Sequence, residues 1–425
     1  MKPSSPLWSL LFFAAAMHCL VDLVAGSLNP LWPLMDGHYK LTPWQGAGLF
    51  FLWQMTTSLS QFFFGMWGDR FNSRWLLWAG PLAAVVCLGS IGLTTSPIIL
   101  AQLLVISGLG IAAFHPEGAA LAGSCAPENR SRAMSIFTTG GFIGQSIGPY
   151  CSGNIVEWLG MRGLAWGILG GLVALVILAP LGIRAMRGSA VATKKEASPP
   201  VRLSQLFRGR VWPVTLVLII GSLRIIAAAG VPILLGYLLE ARRGTASDIG
   251  FVQSAFMLGI GLGGLTCATL LQRRHEKVIL WVCPVLATPV LLVMPWTSGL
   301  ALAGLACLSG LLLGVSLPVL ISRGQELMPD SQRIASSITM GVSWGVGGGV
   351  VSIILVVCKS AGQFEPAFAA FAVATLASSV LCFWLPEVIV VGTSVPTTLE
   401  SWQEAGTEVP ATTPSPLAGS SISSP

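Results

Sequence analysis

Residues 211–238 read VWPVTLVLIIGSLRIIAAAGVPILLGYL, and this stretch decides what kind of fold the chain can adopt. Its only charged residue is Arg224, near the middle. A helix that crosses a bilayer needs about 20 consecutive, largely apolar residues. In lipid, a helix satisfies its backbone hydrogen bonds within one segment. The stretch therefore predicts a transmembrane helix that buries an arginine.

Eleven more apolar runs occur along the chain, and the connections between them are mostly short. Together the runs predict twelve transmembrane helices, near residues 7–34, 44–66, 75–94, 98–122, 133–155, 164–184, 211–238, 248–271, 278–296, 299–322, 334–358 and 366–386. We predict an all-α membrane protein with a six-helix bundle at 1–187, a cytoplasmic linker at 188–210 and a second six-helix bundle at 211–390. The tail at 391–425 is rich in Ser, Thr and Pro, and is expected to be disordered.

The composition supports a lipid environment and argues against other classes of protein. Only 9% of residues are charged and 53% are hydrophobic, whereas about 25% are charged in soluble domains. The net charge of +6 resides in short loops between apolar runs, so it indicates membrane orientation rather than nucleic-acid binding. The nine cysteines show no metal-ligand spacing, and we expect no metal or cofactor.

The distribution of basic residues predicts the orientation. If both termini lie in the cytoplasm, inside loops hold 17 of the 23 Lys and Arg residues and outside loops hold five. Cytoplasmic loops carry the excess of Lys and Arg. Both termini are therefore predicted to be cytoplasmic, and short loops without targeting signals favour a plasma (inner) membrane.

The two halves show an internal repeat. Shifting the second half by 202 residues places Pro30 on Pro232 and Pro116 on Pro318. Parallel six-helix repeats, related by an axis along the membrane normal, occur in transporters that bind substrate between the halves. The same offset places Asp22 on Arg224.

Five ionisable residues fall inside predicted helices. His18 and Asp22 lie four residues apart on one face of helix 1, and His115 and Glu117 flank a proline in helix 4. Arg224 lies within helix 7. An ionisable group at the membrane centre costs at least about 2.5–3.5 kcal/mol, so each is a candidate for function. Residues two apart do not share a helix face, so His115 and Glu117 are not expected to point the same way.

The repeat predicts that Asp22 and Arg224 face each other across one cavity. An anionic substrate could then displace Asp22 from Arg224, or a proton could neutralise Asp22. The alternative is a static ion pair that only fixes the packing of the halves.

Proline and glycine positions predict local helix geometry. Pro116 frees the carbonyl of Ala112 and is expected to break helix 4. If the inner end of that helix instead reaches headgroup water, His115 and Glu117 are merely solvated. In helix 5, Gly144 and Gly148 precede Pro149, at a spacing that lets helices approach closely. Packing is the expected role and gating the alternative. Helix 11 repeats this spacing at Gly341, Gly345 and Gly349.

The loop between helices 2 and 3 reads GMWGDRFNSR over residues 65–74. It resembles the signature loop of the major facilitator superfamily, GxxxDRxGRR/K, with Asn72 and Ser73 departing from the pattern. The matching residues are Gly65, Asp69, Arg70 and Arg74. In that family the loop latches the two halves in the outward-open state, and the resemblance implies this role here. The corresponding loop of the second half lacks the acid, which puts a symmetric latch in doubt.

Other motifs resemble the fosmidomycin-resistance branch of that superfamily. They are His18-x-x-x-Asp22, the GLG of 108–110 with Phe114-His115-Pro116-Glu117, Leu223-Arg224, and Gln325-Glu326-Leu327-x-Pro329. The resemblance implies proton-coupled export of small, often anionic or amphiphilic compounds. The stretch Gly144-x-x-x-Gly148-Pro149 is similar to the helix 5 motif of family antiporters, with Ser152 in place of a glycine.

The function that these features favour is a proton-coupled antiporter that exports a small organic compound, which can be anionic, from the cytoplasm by alternating access. Asp22 and Glu117 are the candidate proton carriers, assisted by His18 and His115, and Arg224 is the candidate substrate-binding residue. The expected partners are the lipid bilayer, the solute and protons, with no nucleic acid and no obligate protein partner. Two alternatives keep the fold: a proton-coupled importer of an organic anion or sugar acid, and a sensor without transport. An intramembrane enzyme is disfavoured because Asp22 is the only mid-span aspartate.

Overall fold

The structure, a computed structural model, describes residues 8–71, 73–125, 130–188, 210–270, 275–328 and 337–385, and every regular element in these ranges is helical. The α-helices are α1 Trp8–Gly26, α2 Leu31–Tyr39, α3 Pro43–Arg70, α4 Leu76–Gly89, α5 Pro97–Cys125, α6 Arg130–Leu159, α7 Ala165–Gly188, α8 Val211–Ala241, α9 Ala246–Leu270, α10 Glu276–Val293, α11 Gly299–Gly314, α12 Ser316–Leu327, α13 Ser343–Ala361 and α14 Glu365–Leu381. A π-helical turn at Ser337–Val342 leads into α13, and a 3₁₀ turn at Cys382–Trp384 follows α14. The predicted linker and tail lie almost entirely outside the described residues.

The predicted membrane character is confirmed, because ten helices within the described residues are long and apolar enough to cross a membrane. The predicted spans at 44–66 and 133–155 coincide with α3 and α6, which are not among these ten. Both helices carry many small and polar residues, which lower their hydropathy. The count of twelve spans and the position of the termini stay predictions.

Two predicted helices are divided in the structure. The predicted span at 7–34 is divided, because α1 ends at Gly26 and the chain turns before α2 starts at Leu31. At this turn the hydroxyl of Ser27 donates to the carbonyl of Leu23 at 2.8 Å. The predicted span at 299–322 is interrupted at Val315, between α11 and α12. Pro318, the third residue of α12, has no N–H to bond the carbonyl of Gly314.

The expected break at Pro116 is wrong, because α5 runs continuously from Pro97 to Cys125. The proline removes a single hydrogen bond from a helix of 29 residues. One residue earlier, Nδ1 of His115 lies 2.8 Å from the carbonyl oxygen of Ile111 and adds a side-chain bond to this turn. Such local compensation is how membrane helices tolerate proline.

The glycines of α6 bring its backbone into contact with α1. A Cβ atom on Gly144 would meet the carbonyl oxygen of Cys19 and the amide nitrogen of Leu23, and one on Gly148 would meet the carbonyl oxygen of Leu23. Because Gly144 and Gly148 have no side chains, α6 can approach α1 until the two backbones are in contact. This packing orients the polar face of α1 toward α6.

The first prediction concerns this close approach. Replacing Gly144 with alanine should lower the free energy of unfolding by about 1–3 kcal/mol, because the methyl group collides with backbone that cannot rotate away. The matched control is Gly170→Ala in α7, where an added Cβ meets nothing within 4 Å. The control should be neutral or stabilising by up to about 1 kcal/mol through helix propensity. Thermal unfolding of both purified variants in detergent compares them, and equal effects would contradict the packing role of Gly144.

Candidate functional site

The carboxylate of Asp22 lies at the centre of a buried polar cluster formed by α1, α5 and α6. Its Oδ2 atom is 3.3 Å from Nε2 of His18, one turn earlier on α1, and its Oδ1 atom is 3.2 Å from Nε2 of His115 on α5. Nε2 of Gln145 on α6 donates to Oδ2 at 3.2 Å. Asp22 is only 4% exposed. Three helices of the first half thus converge on one carboxylate.

Each histidine has its other ring nitrogen occupied by a backbone carbonyl. Nδ1 of His18 lies 2.9 Å from the carbonyl oxygen of Phe137, and Nδ1 of His115 is bonded in the same way within α5. A carbonyl only accepts, so both Nδ1 atoms carry hydrogen and both Nε2 atoms of the neutral rings present a lone pair. A lone pair facing a carboxylate oxygen is repulsive, so each contact with Asp22 becomes favourable only when it holds a proton.

The cluster therefore has room for two protons. When neither contact holds a proton, the net charge of the cluster is −1, from Asp22 alone. One bound proton makes the cluster neutral, and two bound protons give it a charge of +1. In a medium of low dielectric the neutral form is favoured over either charged form. Because the two contacts share one carboxylate, a single proton can occupy either of them.

The surroundings hold the two rings in place. The ring of His18 stacks on Phe137, with centroids 4.1 Å apart and planes at 20°, and its centroid lies 5.1 Å from that of His115. Gly141 lies directly against the cluster, since a Cβ there would meet both His18 and Asp22. Sequence reasoning missed Gln145 and Gly141. The signal in the sequence that could have indicated them is the side-chain amide of Gln145, which directly follows Gly144 of the glycine motif in helix 5.

The same three side chains fit a metal ion by chemistry and distance. One ligand atom from each of His18, Asp22 and His115 lies within 4.8 Å of the other two. Two imidazole nitrogens and a carboxylate oxygen suit divalent transition metals. Any study of proton binding at this cluster therefore needs a chelator control.

The structure separates Glu117 from this cluster, as expected for residues two apart on a helix. Oε1 of Glu117 accepts a short hydrogen bond from the hydroxyl of Ser73. Ser73 belongs to the loop that resembles the superfamily signature, where a basic residue is usual. Glu117 therefore connects α5 to this loop rather than to Asp22.

The other residues of that loop are only partly described. Gly65 and the backbone of Asp69 and Arg70 lie in α3, while the side chains of Asp69 and Arg70 lie outside the described residues. Arg74 follows α3 and is half-buried. The latch role of these four residues stays a prediction.

The structure does not bring Arg224 to Asp22, which corrects the expected pairing across one cavity. Arg224 points into the second half: Nε donates to the hydroxyl of Ser378 at 3.2 Å and Nη2 donates to the carbonyl of Leu280 at 2.5 Å. That carbonyl is free because its usual partner four residues later is Pro284, which has no N–H. Arg224 satisfies the acceptor that the proline leaves open.

The guanidinium of Arg224 is buried without a carboxylate partner among the described residues. It is 1% exposed, and its Nη1 atom has no hydrogen-bond partner there. Its remaining contact is with Sγ of Cys382, at 3.4 Å. A buried cation with an open donor is a favourable position for an anionic group.

A second polar group joins the two halves at the end of the bundle that holds α2, here called the distal end. Nζ of Lys359, in the last turn of α13, forms a short ion pair with Oδ2 of Asp36 on α2. Nζ also lies 5.0 Å from the centroid of the Tyr237 ring on α8. The hydroxyl of Tyr237 in turn donates to the carbonyl of Trp32, at 3.3 Å. Sequence reasoning counted Lys359 only as a loop charge and missed this contact.

Further hydrogen bonds join the halves at the same end. Nε2 of Gln253 on α9 donates to the carbonyl of Asn29 at 3.3 Å, and the amide of Ala246 donates to Glu157 of α6 at 3.0 Å. Between the helices, Gly250 lies so close to Pro149 that an added Cβ would meet its carbonyl oxygen. The distal end is therefore closed in this structure.

Comparison with known proteins adds the family. The model of the Major Facilitator Superfamily matches residues 11–241. The chain is 25% identical over 341 residues to the fosmidomycin resistance protein of Escherichia coli (strain K12), covering 78% of this chain and 82% of that protein. It is 26% identical over 392 residues to the uncharacterized MFS-type transporter YfnC of Bacillus subtilis (strain 168), covering 91% and 94%.

Solved structures show the same fold at lower identity. A bacterial homolog of the human lysosomal transporter Spinster, in an inward-facing and unoccupied conformation, has a TM-score of 0.62 at 16% identity, covering 89% of this chain and 95% of that one. The fucose:proton symporter of E. coli has a TM-score of 0.58 at 14% identity, covering 89% and 98%.

The closed distal end generates the second prediction. Asp36→Asn and Lys359→Gln should each lower the free energy of unfolding, by up to about 3 kcal/mol, because each leaves one largely buried charge unpaired. The double variant should lose less than the sum of the two single variants. Glu365→Gln is the control, because it removes the more exposed pair with Arg242 and should change stability by no more than about 1 kcal/mol. Thermal unfolding in detergent measures all four variants, and additive effects would rule out a stabilising pair.

Proposed function

Because the chain belongs to the major facilitator superfamily, and is thus a multi-pass membrane transporter, we propose that it is a proton-coupled antiporter. It exports a small organic compound, with anionic compounds favoured, by alternating access. The observation that carries the proposal is the geometry of Asp22. Two histidine nitrogens face its two oxygens, and both histidines have their other nitrogen bonded to backbone carbonyls.

This arrangement supports proton carriage because the cluster can change its charge while Asp22 keeps the same neighbouring side chains. Adding or removing one proton shifts the cluster between −1, 0 and +1 while Gln145 keeps donating to the carboxylate. The net charge of the site then decides which conformation is favoured in lipid. His18 and His115 are full members of the carrier, and Glu117 is the second candidate, bonded to Ser73.

Arg224 is the proposed binding residue for an anionic group on the substrate. Its unpaired Nη1 supports this role, whereas its burial against α10 and α14 means that the group gains access only when these helices move relative to α8. The competing role is structural, in which Arg224 fastens α8 to Leu280 and Ser378.

The glycine contacts and the distal contacts mark the surfaces that are proposed to move against each other during alternating access. With the predicted cytoplasmic termini, the distal end is extracellular and this conformation is closed to the outside. Opening to the outside would break the pair between Asp36 and Lys359 and slide α6 along α9 at Gly250. The resemblance of Gly65, Asp69, Arg70 and Arg74 to the superfamily loop supports a latch that holds the outward-open state. Gly144, Gly148 and Pro149 of α6 support rocking of one half against the other.

The third prediction tests proton exchange directly. Protein in proteoliposomes with an acidic lumen should release lumenal protons when a transported compound is added outside, and Asp22→Asn should abolish this signal. Fosmidomycin, the compound in the name of the E. coli relative, is the first compound to try. The matched control is Asp248→Asn, an exposed residue that caps α9 and should keep the signal. The chelator EDTA is present throughout, to remove any metal bound at the three side chains.

The remaining outcomes separate the alternatives. A signal that survives in Asp22→Asn but vanishes in Glu117→Gln places the carrier on α5 next to Ser73. Proton movement in the same direction as the compound indicates import. Binding of the compound without flux indicates a sensor, and flux without proton movement contradicts the antiport proposal.

The fourth prediction separates the two roles of Arg224. If it binds substrate, Arg224→Lys should raise KM at least about tenfold, since a lysine restores charge without the fork of donors, whereas Ser378→Ala should leave KM unchanged because it keeps the guanidinium. If it only fastens helices, both Arg224→Lys and Ser378→Ala should lower stability and leave KM unchanged. Flux kinetics and thermal unfolding on the same preparations distinguish the two results.

A further inference from the structure

The three side chains that meet at the Asp22 cluster carry the ligand set of a transition-metal site. Nε2 of His18, Nε2 of His115 and a carboxylate oxygen of Asp22 lie within 4.8 Å of one another. Two imidazole nitrogens and one carboxylate oxygen suit Zn²⁺ and similar ions, whereas Mg²⁺ and Ca²⁺ prefer ligand sets made of oxygen alone. The chemistry of the cluster therefore selects a class of divalent ion.

The distances within the cluster are close to those that a single ion imposes. Zn²⁺ binds nitrogen and oxygen ligands at about 2.0–2.2 Å, so its tetrahedral ligands lie about 3.3–3.6 Å apart. Nε2 of His18 is 3.3 Å from Oδ2 of Asp22, and Nε2 of His115 is 3.2 Å from Oδ1. Because the carboxylate presents one oxygen to each ring, an ion between the rings can bind one oxygen or both.

Both histidines are already oriented as ligands. Nδ1 of His18 bonds to the carbonyl of Phe137 at 2.9 Å, and Nδ1 of His115 bonds to the carbonyl of Ile111 at 2.8 Å. These bonds place the ring hydrogens on Nδ1 and leave the lone pair of each Nε2 free for an ion. Metal-ligating histidines almost always have their second nitrogen occupied in this way. This orientation is independent of the distances and points to the same ligand.

The charge of the cluster also fits a divalent ion. Among the described residues, Asp22 forms ion-pair contacts with the two histidines and with no Lys or Arg. With neutral rings the cluster carries −1, so a divalent ion changes its charge to +1. Three protein ligands leave one tetrahedral position open. A small anion such as chloride or hydroxide in that position makes the site neutral, the form that a low dielectric favours.

The packing leaves space at the ligand atoms and an approach to them. A Cβ added to Gly141 would lie 2.6 Å from Nε2 of His18 and 2.7 Å from Oδ2 of Asp22, so the glycine keeps this volume free. The side chain of His115 is 22% exposed, whereas those of His18 and Asp22 are buried. The approach to the cluster is therefore past the ring of His115.

We propose that His18, Asp22 and His115 bind one divalent transition-metal ion, with Zn²⁺ as the best fit and a small anion in the fourth position. The ion joins α1 to α5 and occupies both lone pairs at which the proposed carrier holds its protons. Binding does not depend on the proposed transport function, because it is an equilibrium property of the protein in detergent. Motif spacing in the sequence could not indicate the site, because its third ligand comes from a distant helix.

The experiment uses the full chain without a histidine tag, stripped with EDTA and transferred to detergent buffer that lacks chelator. Co²⁺ is the spectroscopic probe, because four-coordinate Co²⁺ absorbs visible light. One Co²⁺ per chain should bind with that absorption. Zn²⁺ should displace it and excess Mg²⁺ should not. Calorimetric titration with Zn²⁺ should also give one ion per chain, and bound Zn²⁺ should raise the unfolding temperature.

Ligand variants locate the ion. His115→Gln and Asp22→Asn should each weaken Zn²⁺ binding at least about tenfold, because each removes a ligand. The matched control is His38→Gln, which replaces another half-buried histidine whose Nε2 contacts the carbonyl of Thr94 instead of the cluster. It should leave the affinity unchanged. If a ligand variant fails to fold, the wild-type Co²⁺ spectrum still decides, because thiolate ligands add an intense near-ultraviolet band that nitrogen and oxygen ligands lack.

Four results would each overturn the proposal. They are no Zn²⁺ binding to the stripped protein, displacement of Co²⁺ by Mg²⁺, a thiolate band in the Co²⁺ spectrum, and equal losses in His38→Gln and His115→Gln. None of them bears on proton exchange measured in the presence of EDTA, so the metal site and the proposed function fail separately.

Discussion

The carboxylate of Asp22 is the constraint on which the first half depends, because a charge at that depth in lipid must be neutralised or surrounded by donors. The protein uses both means. Gln145 is a permanent donor, and the two histidines become donors only when a proton is present. The carbonyls of Phe137 and Ile111 enforce this condition by fixing the ring hydrogens on the far side. The close packing of α1 on α6 then follows, since Gln145 reaches Asp22 only if the helices touch.

The amount that the sequence could predict differs between the fold and the site. The ten apolar helices of the described residues were predictable because about twenty apolar residues in a row leave few alternatives, and the polar cluster was partly predictable because His18 and Asp22 share one helix face. The partnership of His115 with Asp22 was not, because it depends on the rotation of α5 about its axis. Helix rotation is set by packing against several neighbours, which periodicity in a uniformly apolar helix does not reveal.

The position of Arg224 shows why the repeat misled. The offset pairs a position on α1 with a position on α8, but the two side chains differ in length and charge and therefore bind different partners. Asp22 is short and stays near its own helix. Arg224 is long and reaches the carbonyl that Pro284 leaves open on α10. A comparison of prolines with the carbonyls four residues before them would have included Leu280 among the candidate acceptors, but the sequence alone does not select it.

The two halves therefore hold charge in different ways, and this asymmetry bears on coupling. An arginine keeps its proton at any physiological pH, so Arg224 holds a constant charge. In the proposed mechanism the cluster around Asp22 gains and loses protons, so the change of charge takes place in the first half. Reversing a two-state preference from 1:99 to 99:1 needs about 5.5 kcal/mol of differential binding. One proton added to a cluster in low dielectric can supply energy of that order. In the proposed cycle, the distal pair of Asp36 and Lys359 opposes opening at that end. A single titrating cluster in one half would thus be sufficient, on the proposed mechanism, to drive both halves between conformations.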